Sequence, residues 1–195
     1  MKKVLLSIAI FLTSSLVASA QVISVDKTRD GIRTVATEET ICRSMTDKLV
    51  LAVSLCAFVN EEKHDTIYTI RTHITGSTPL EVTEKSPMLI RLMDDTVMEL
   101  SALVGDKEMV RDVIVVNNYV THTYDISPLF QATPEQITAI SKIGVKKIRI
   151  DVSPEMYDKE FKKDKVGSTL RMKWAALKAT LKQKGASGDS FRDGF

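Results

Sequence analysis

Residues 48–59 constrain this chain more than any other stretch. Leu49, Leu51, Val53, Leu55, Ala57 and Val59 occupy alternate positions, and Val50, Ala52, Ser54, Cys56 and Phe58 lie between them. On a pleated strand, alternate side chains point to opposite faces. Both faces of this segment are therefore mostly apolar, which requires a central strand covered on each side. A sheet with a two-sided core is the framework into which the rest must fit.

Up to about residue 126, Val, Ile, Thr and Leu recur in short runs between polar turns, a strand-like texture. Residues 21–27 and 32–43 read as the first strands. Residues 66–75 alternate more openly: Tyr68, Ile70 and Ile74 face one way, and Thr69, Arg71, His73 and Thr75 face the other, wet side. Residues 88–103 read as a hairpin. A two-residue turn at Asp94-Asp95 would set Ile90 opposite Glu99. A three-residue loop over 94–96 pairs Leu92 with Met98, Ile90 with Leu100 and Met88 with Ala102, giving one coherent apolar face. A one-residue slip reverses every side chain, so the longer loop is the expected one. Residues 112–126 hold one strand or two, with Asn117-Asn118 as a bulge or a turn.

After Pro128 the texture changes. Thr133-Pro134-Glu135-Gln136 opens a helix, with threonine as N-cap, proline at the first helical position and glutamine placed for a capping box. Ile137 and Ile140 form its inner face and Gly144 ends it. Residues 145–152 read as a strand with Ile148 and Ile150 turned inward. A last helix falls between residues 155 and 184: Leu170, Trp174, Leu177 and Leu181 share one stripe, with Arg171, Lys178 and Lys182 turned away. Gly167 is expected to interrupt or kink it. Strands first, then strand, helix, strand and helix, predict an α+β fold. The expected form is an antiparallel β-rich sandwich or curved sheet, with one short helix and a C-terminal helix packed on it.

The chain starts with Met1-Lys2-Lys3, an apolar stretch over residues 4–18, and Ala18-Ser19-Ala20 before Gln21. A basic end, a short apolar core and small residues are the pattern of a cleavable secretory signal peptide. The run is about 15 residues, short of the roughly 20 that a spanning helix needs. Cleavage after Ala20 would send the product to the periplasm or the medium. The expected division is a signal peptide at 1–20, one β-rich domain at 21–184 and a disordered tail at 185–195, with no stable membrane insertion.

Lys2 and Lys3 are the leader's only charges, so its loss takes Lys+Arg from 27 to 25 against 25 Asp+Glu. A neutral product has no global field to draw it to nucleic acid. Residues 21–141 carry 11 basic and 18 acidic side chains, and residues 142–184 carry 13 and 5. The positive block coincides with the last helix, so it reads as a lysine-rich outer face rather than an arm for a polyanion. Binding of that helix to a membrane surface or an anionic glycan is the rival reading. Its apolar stripe, which holds the only tryptophan, favours core packing.

Tyr124-Asp125-Ile126, Thr133-Pro134-Glu135-Gln136-Ile137, the run 144–150, and Tyr157, Phe161 and Asp164-Lys165-Val166-Gly167 form a cadence. Together with the hairpin at 89–100, it resembles small exported proteins of unknown function from Gram-negative gut bacteria of the Bacteroides type. The resemblance covers roughly residues 85–175. Its motifs are structural, and it implies no activity.

Export leads to an oxidising space, where Cys42 and Cys56 invite a disulfide. If residues 44–47 turn a hairpin, Cys42 falls opposite about Leu49, seven places from Cys56. At about 3.4 Å per residue this exceeds the roughly 7 Å Cα limit. A bridge then needs the two segments to lie in different sheets; otherwise both are small buried hydrophobes. Their spacing fits no zinc or redox motif. Among the histidines, His64 reads as a solvated loop residue, His73 as part of a wet face, and His122 as an inward, hydrogen-bonded core residue. No pair has ligand spacing, and structural zinc usually also shows paired cysteines.

Gly188-Asp189-Ser190 lies in the glycine-rich tail, where no strand or helix holds the serine as a strained nucleophile. Glu38-Glu39, Glu61-Glu62 and Asp94-Asp95 read as solvated turns, because sequence neighbours point apart on a strand. No catalytic, cofactor-binding or metal residue is therefore assigned, and no cofactor is expected. The sequence points to an exported, non-catalytic binding or structural module with a protein or glycan partner. A hydrolase whose site is assembled from separate strands, and an inhibitor-type protein, are the alternatives.

Overall fold

The computed structural model describes residues 22–42, 48–107, 109–116 and 119–183; the segments expected to be a signal peptide and a tail lie outside this set. Strands β1 (Ile23–Arg29) and β2 (Ile32–Thr37) form a hairpin across Asp30-Gly31. Both turn residues have positive φ, 52° and 76°. That is the two-residue turn whose twist matches flanking strands, and Asp-Gly is among its preferred pairs.

After the short β3 (Thr40–Ile41) come β4 (Val50–Asn60) and β5 (Asp65–Gly76), paired along their whole lengths. On one face of β4, Leu51, Val53, Leu55 and Ala57 are fully buried. On the other, Ala52, Ser54 and Cys56 are also buried, as the two-sided apolar pattern requires.

The next strands are β6 (Glu81–Val82), β7 (Pro87–Leu92), β8 (Val97–Val104) and β9 (Asp106–Lys107). The β7–β8 hairpin shows the expected apolar face of Met88, Ile90, Leu92, Leu100 and Ala102. Its loop is three residues long but sits one place earlier than expected. The Leu92 amide bonds to the Thr96 carbonyl, so Met93–Asp95 form the loop and Met88 pairs with Leu100. Asp95 takes the left-handed position (φ 68°), which aspartate tolerates. The shift moves each pair by two residues, so parity and the buried face survive.

Strands β10 (Met109–Val116) and β11 (Tyr119–Ile126) resolve the open reading of this region as two strands, with Val116 opposite Tyr119. Asn117-Asn118 lies outside the described residues. The end of β11 and then β12 (Leu129–Gln131) pair in turn with β5.

Helix α1 (Pro134–Ile143) carries the anticipated capping box between Thr133 and Gln136, buries Ile137 and Ile140, and ends at Gly144. Strand β13 (Val145–Ile150) follows, with Ile148 and Ile150 buried. Residues 157–160 are then not helical: β14 (Tyr157–Glu160) pairs with β13 as an edge strand. Helix α2 (Val166–Lys182) falls within the expected span of 155–184. Gly167 does not kink it but lies in its first turn. A Cβ there would stand 2.6 Å from Asp164 Oδ1 and 2.7 Å from Gly144 Cα.

The main sheet is open and antiparallel, ordered β1-β2-β4-β5-β12-β8-β7-β13-β14, with β3 on β4 and the β10–β11 hairpin on β5. Strand β8 joins its halves, pairing with β7 over Val97–Ser101 and with β12 at Ala102 and Val104. Helix α2 packs on β1, β2, β4 and α1. Both halves and both helices contribute to one hydrophobic core. The fold is the expected α+β class. No helix among the described residues is long and apolar enough to cross a membrane.

Candidate functional site

A bulge between β2 and β3 organises the polar residues of the main sheet. Along β4, Ala36 pairs with Cys56 but Thr40 pairs with Val53, so one extra residue is accommodated at Glu38-Glu39. The Leu55 amide bonds instead to Thr37 Oγ1 at 2.9 Å. A bulge re-aims the side chains around it. On the inner side, the Glu38 carbonyl accepts from the Lys173 ammonium of α2. On the outer side, Glu39 Oε2 lies 3.0 Å from His73 Nδ1, and Oε1 lies 3.8 Å from Arg71 Nη2. The other ring nitrogen, His73 Nε2, lies 2.9 Å from Asp125 Oδ2.

The contacts add to two expectations. Glu39 is exposed between β2 and β3, as a turn residue was expected to be, but it also meets His73 and Arg71. His73 does lie on the polar face, yet its side chain is only 21% exposed and is held between carboxylates from two other elements. Each ring nitrogen thus faces a carboxylate. Among the described residues, no group of three His, Cys, Asp or Glu is placed to hold a metal ion.

Lys173 was missed, although a signal was present: it falls three places after Leu170 and four before Leu177, on the apolar stripe itself. It is 4% exposed. Burial pushes its ammonium below the ordinary lysine value, against the pull of Glu38, Glu39 and Cys42.

Cys42 bonds through its amide to Leu51, and Cys56 lies five places further along β4. An odd offset puts the two thiols on opposite faces of the sheet. Both are free and buried, so no disulfide links them. Burial pushes the Cys42 thiol up to about 11 and the Cys56 thiol also upward.

His122 is exposed rather than inward, 6.2 Å from the Tyr124 ring between centroids. Parity along the strand had suggested core, but the β10–β11 hairpin reaches the main sheet only at Tyr124–Ile126, beyond His122. His64 is exposed in the β4–β5 turn with φ 52°, and Glu61 and Glu62 are exposed beside it, as expected. Asp94 and Asp95 lie in the exposed hairpin loop, where Asp95 also pairs with Lys146 at 2.6 Å. The tail motif at residues 188–190 lies outside the described residues.

The largest hollow described is a groove of about 790 Å³ where the β4–β5 turn meets the last turns of α2. Tyr68, Val59 and Leu181 supply apolar wall, and Lys178, Lys182, Arg33, His64 and Glu61 supply charge or polarity. Tyr68 is fixed by an edge-on contact with Trp174, with centroids 5.4 Å apart at 84°. Trp174 in turn donates to Thr138 Oγ1 at 3.1 Å, and Lys178 Nζ lies 5.2 Å from the tryptophan ring centroid. Arg33 is held at the groove's end by Asp26 through two 2.8 Å bonds, which raise its affinity for the proton. No hydrogen bond joins His64 to Glu61 or Thr66 among the described residues. Preformed aromatic and aliphatic walls with a few fixed polar groups are the ordinary make-up of a binding site.

The most exposed large apolar side chains among the described residues are Ile41 on β3, Val97 and Val104 at the ends of β8, Met156 before β14, and Met172 on α2. Comparison with family models, with curated proteins and with solved structures gave no match.

Proposed function

We propose that this protein is an exported, soluble, non-catalytic binding module, and that the groove at the end of α2 receives its ligand. The observation that carries the reading is the groove's lining: a rigid aromatic wall and a cationic rim of Lys178 and Lys182. The basic, apolar and small-residue segments of the leader support export. A glycan or an extended protein segment fits such a groove. Apolar rings take the faces of sugars or side chains, and lysines on flexible stems meet acidic groups.

The test is an array of acidic and neutral oligosaccharides and peptides, read together with ester, glycoside and peptide reporter substrates. The reading expects retention of a subset of ligands, weakened by Tyr68→Ala, with no turnover. Reporter turnover abolished by a single substitution would establish the hydrolase alternative instead.

A further inference from the structure

The tie between Glu39, His73 and Asp125 spans three elements of the fold. Glu39 belongs to the bulge after β2, His73 to the middle of β5, and Asp125 to the end of β11. At Asp125 the chain changes partner. Strand β11 pairs with β10 up to this residue, and only Tyr124, Asp125 and Ile126 pair it with β5. The tie therefore fastens the root of the β10–β11 hairpin, where its ladder to the main sheet is shortest.

Carboxylates at ordinary pH only accept hydrogen bonds. Oxygens at 3.0 and 2.9 Å from the two ring nitrogens take two donors, and a ring supplies two only as imidazolium. A neutral ring turns a lone pair toward one carboxylate. We propose that His73 is a proton-operated latch. Protonated, it fastens the hairpin root to the β2–β3 bulge; deprotonated, it keeps one carboxylate and releases the other.

Among the described side chains, the charges facing the ring are Glu39 from the bulge, Asp125 from β11 and Arg71 from β5 itself. Strand β4 places Ala52 opposite His73 and brings no charge. Arg71 lies 3.8 Å from Glu39, so that carboxylate has a cation beside it in addition to the ring. The bridge is broken whichever carboxylate the neutral ring retains.

The test is amide hydrogen exchange on the full chain at about pH 5 and about pH 8, the interval over which histidines as a class change charge. Rates are corrected for intrinsic exchange and followed beside the ring nitrogen shifts of His73. Protection at Tyr124–Ile126 should fall about tenfold as the ring loses its proton, the scale of one charge-assisted hydrogen bond. His73→Gln should show the low protection at both values. If that variant does not fold, Glu39→Gln and Asp125→Asn serve, and each should abolish the pH difference. Equal protection at both values in the wild type would overturn the latch, as would a pH difference that persists in the variants.

Discussion

Arg33 on β2 donates to the main-chain oxygen of Gln183 at the end of α2, 3.0 Å away and 150 residues along the chain. The same guanidinium reaches the Thr180 carbonyl and grips Asp26 of β1. The last carbonyls of a helix have no partner within it, and a cation there also suits the helix dipole. One side chain thus ties the N-terminal hairpin to the C-terminal helix and closes one end of the groove.

Arg33→Ala leaves a carboxylate and two carbonyls without this donor. A loss of about 1–2 kcal/mol is expected: Arg33 is buried, but Asp26 is exposed and water can replace the lost donor there. At about 2–4 °C per kcal/mol for a domain of this size, the melting temperature should fall by roughly 5 °C. Urea unfolding checks this; an unchanged midpoint would mean that α2 does not depend on the clasp.

Gly167→Ala sets two effects against each other. Alanine is better than glycine inside a helix by about 1 kcal/mol. Here the new methyl meets Asp164 Oδ1, which is held by the Val145 amide at 3.0 Å and the Gly167 amide at 2.7 Å. Overpacking costs about 1–3 kcal/mol, and the carboxylate cannot turn aside without giving up both bonds. Net destabilisation is expected, and thermal unfolding measures its sign; a stabilised variant would contradict the contact.

The two thiols should never form a disulfide within one folded molecule. Intact mass should be the same with and without reductant. Alkylation should be slow in the native state, because burial keeps both thiols protonated, and should reach two equivalents on unfolding. A mass gain of two hydrogens on reduction would contradict the placement of Cys42 and Cys56 on opposite faces.

Lys173 gives stability a pH dependence of known sign. Burial lowers its folded value below the ordinary 10.5. Between that lowered value and 10.5 the unfolded chain holds more protons, so stability rises with pH there. Lys173→Met lacks the ionisable group. The wild type should therefore gain on the variant as pH rises through this window, measured by denaturant unfolding; parallel profiles would show that the ammonium is not desolvated.

Much of this architecture was legible because it rests on local periodicity. Residues 48–59 announced a strand buried on both faces, and Thr133-Pro134-Glu135-Gln136 announced the start of α1. The β7–β8 hairpin was read with the right faces but the wrong pairs. Side-chain parity fixes a register only to multiples of two, and the fit of Asp95 to the left-handed position selected among them. The start of α2 was hidden because Asp164, Gly144 and Gly167 meet only in space. The last helix was placed only between residues 155 and 184, and residues 157–160 in that span find a partner in β13 and form a strand.

The polar tie was illegible for the same reason. Glu39, His73 and Asp125 lie in separate parts of the chain and converge only because a one-residue bulge turns Glu39 across the sheet. Alternation placed His73 on the polar face, but nothing local could indicate which residues would cover it. Lys173 was the exception, legible from its position on the apolar stripe.

The central claim is that the groove beside Tyr68 and Lys178 takes a ligand, and amide and side-chain chemical-shift mapping tests it most directly. The full chain would be titrated with an acidic oligosaccharide or peptide retained on the array. The account predicts saturable shifts confined to Val59, Thr66, Tyr68, Lys178 and Leu181, lost in Tyr68→Ala while the core signals stay in place. Saturable shifts centred elsewhere, or unchanged by Tyr68→Ala, would contradict it.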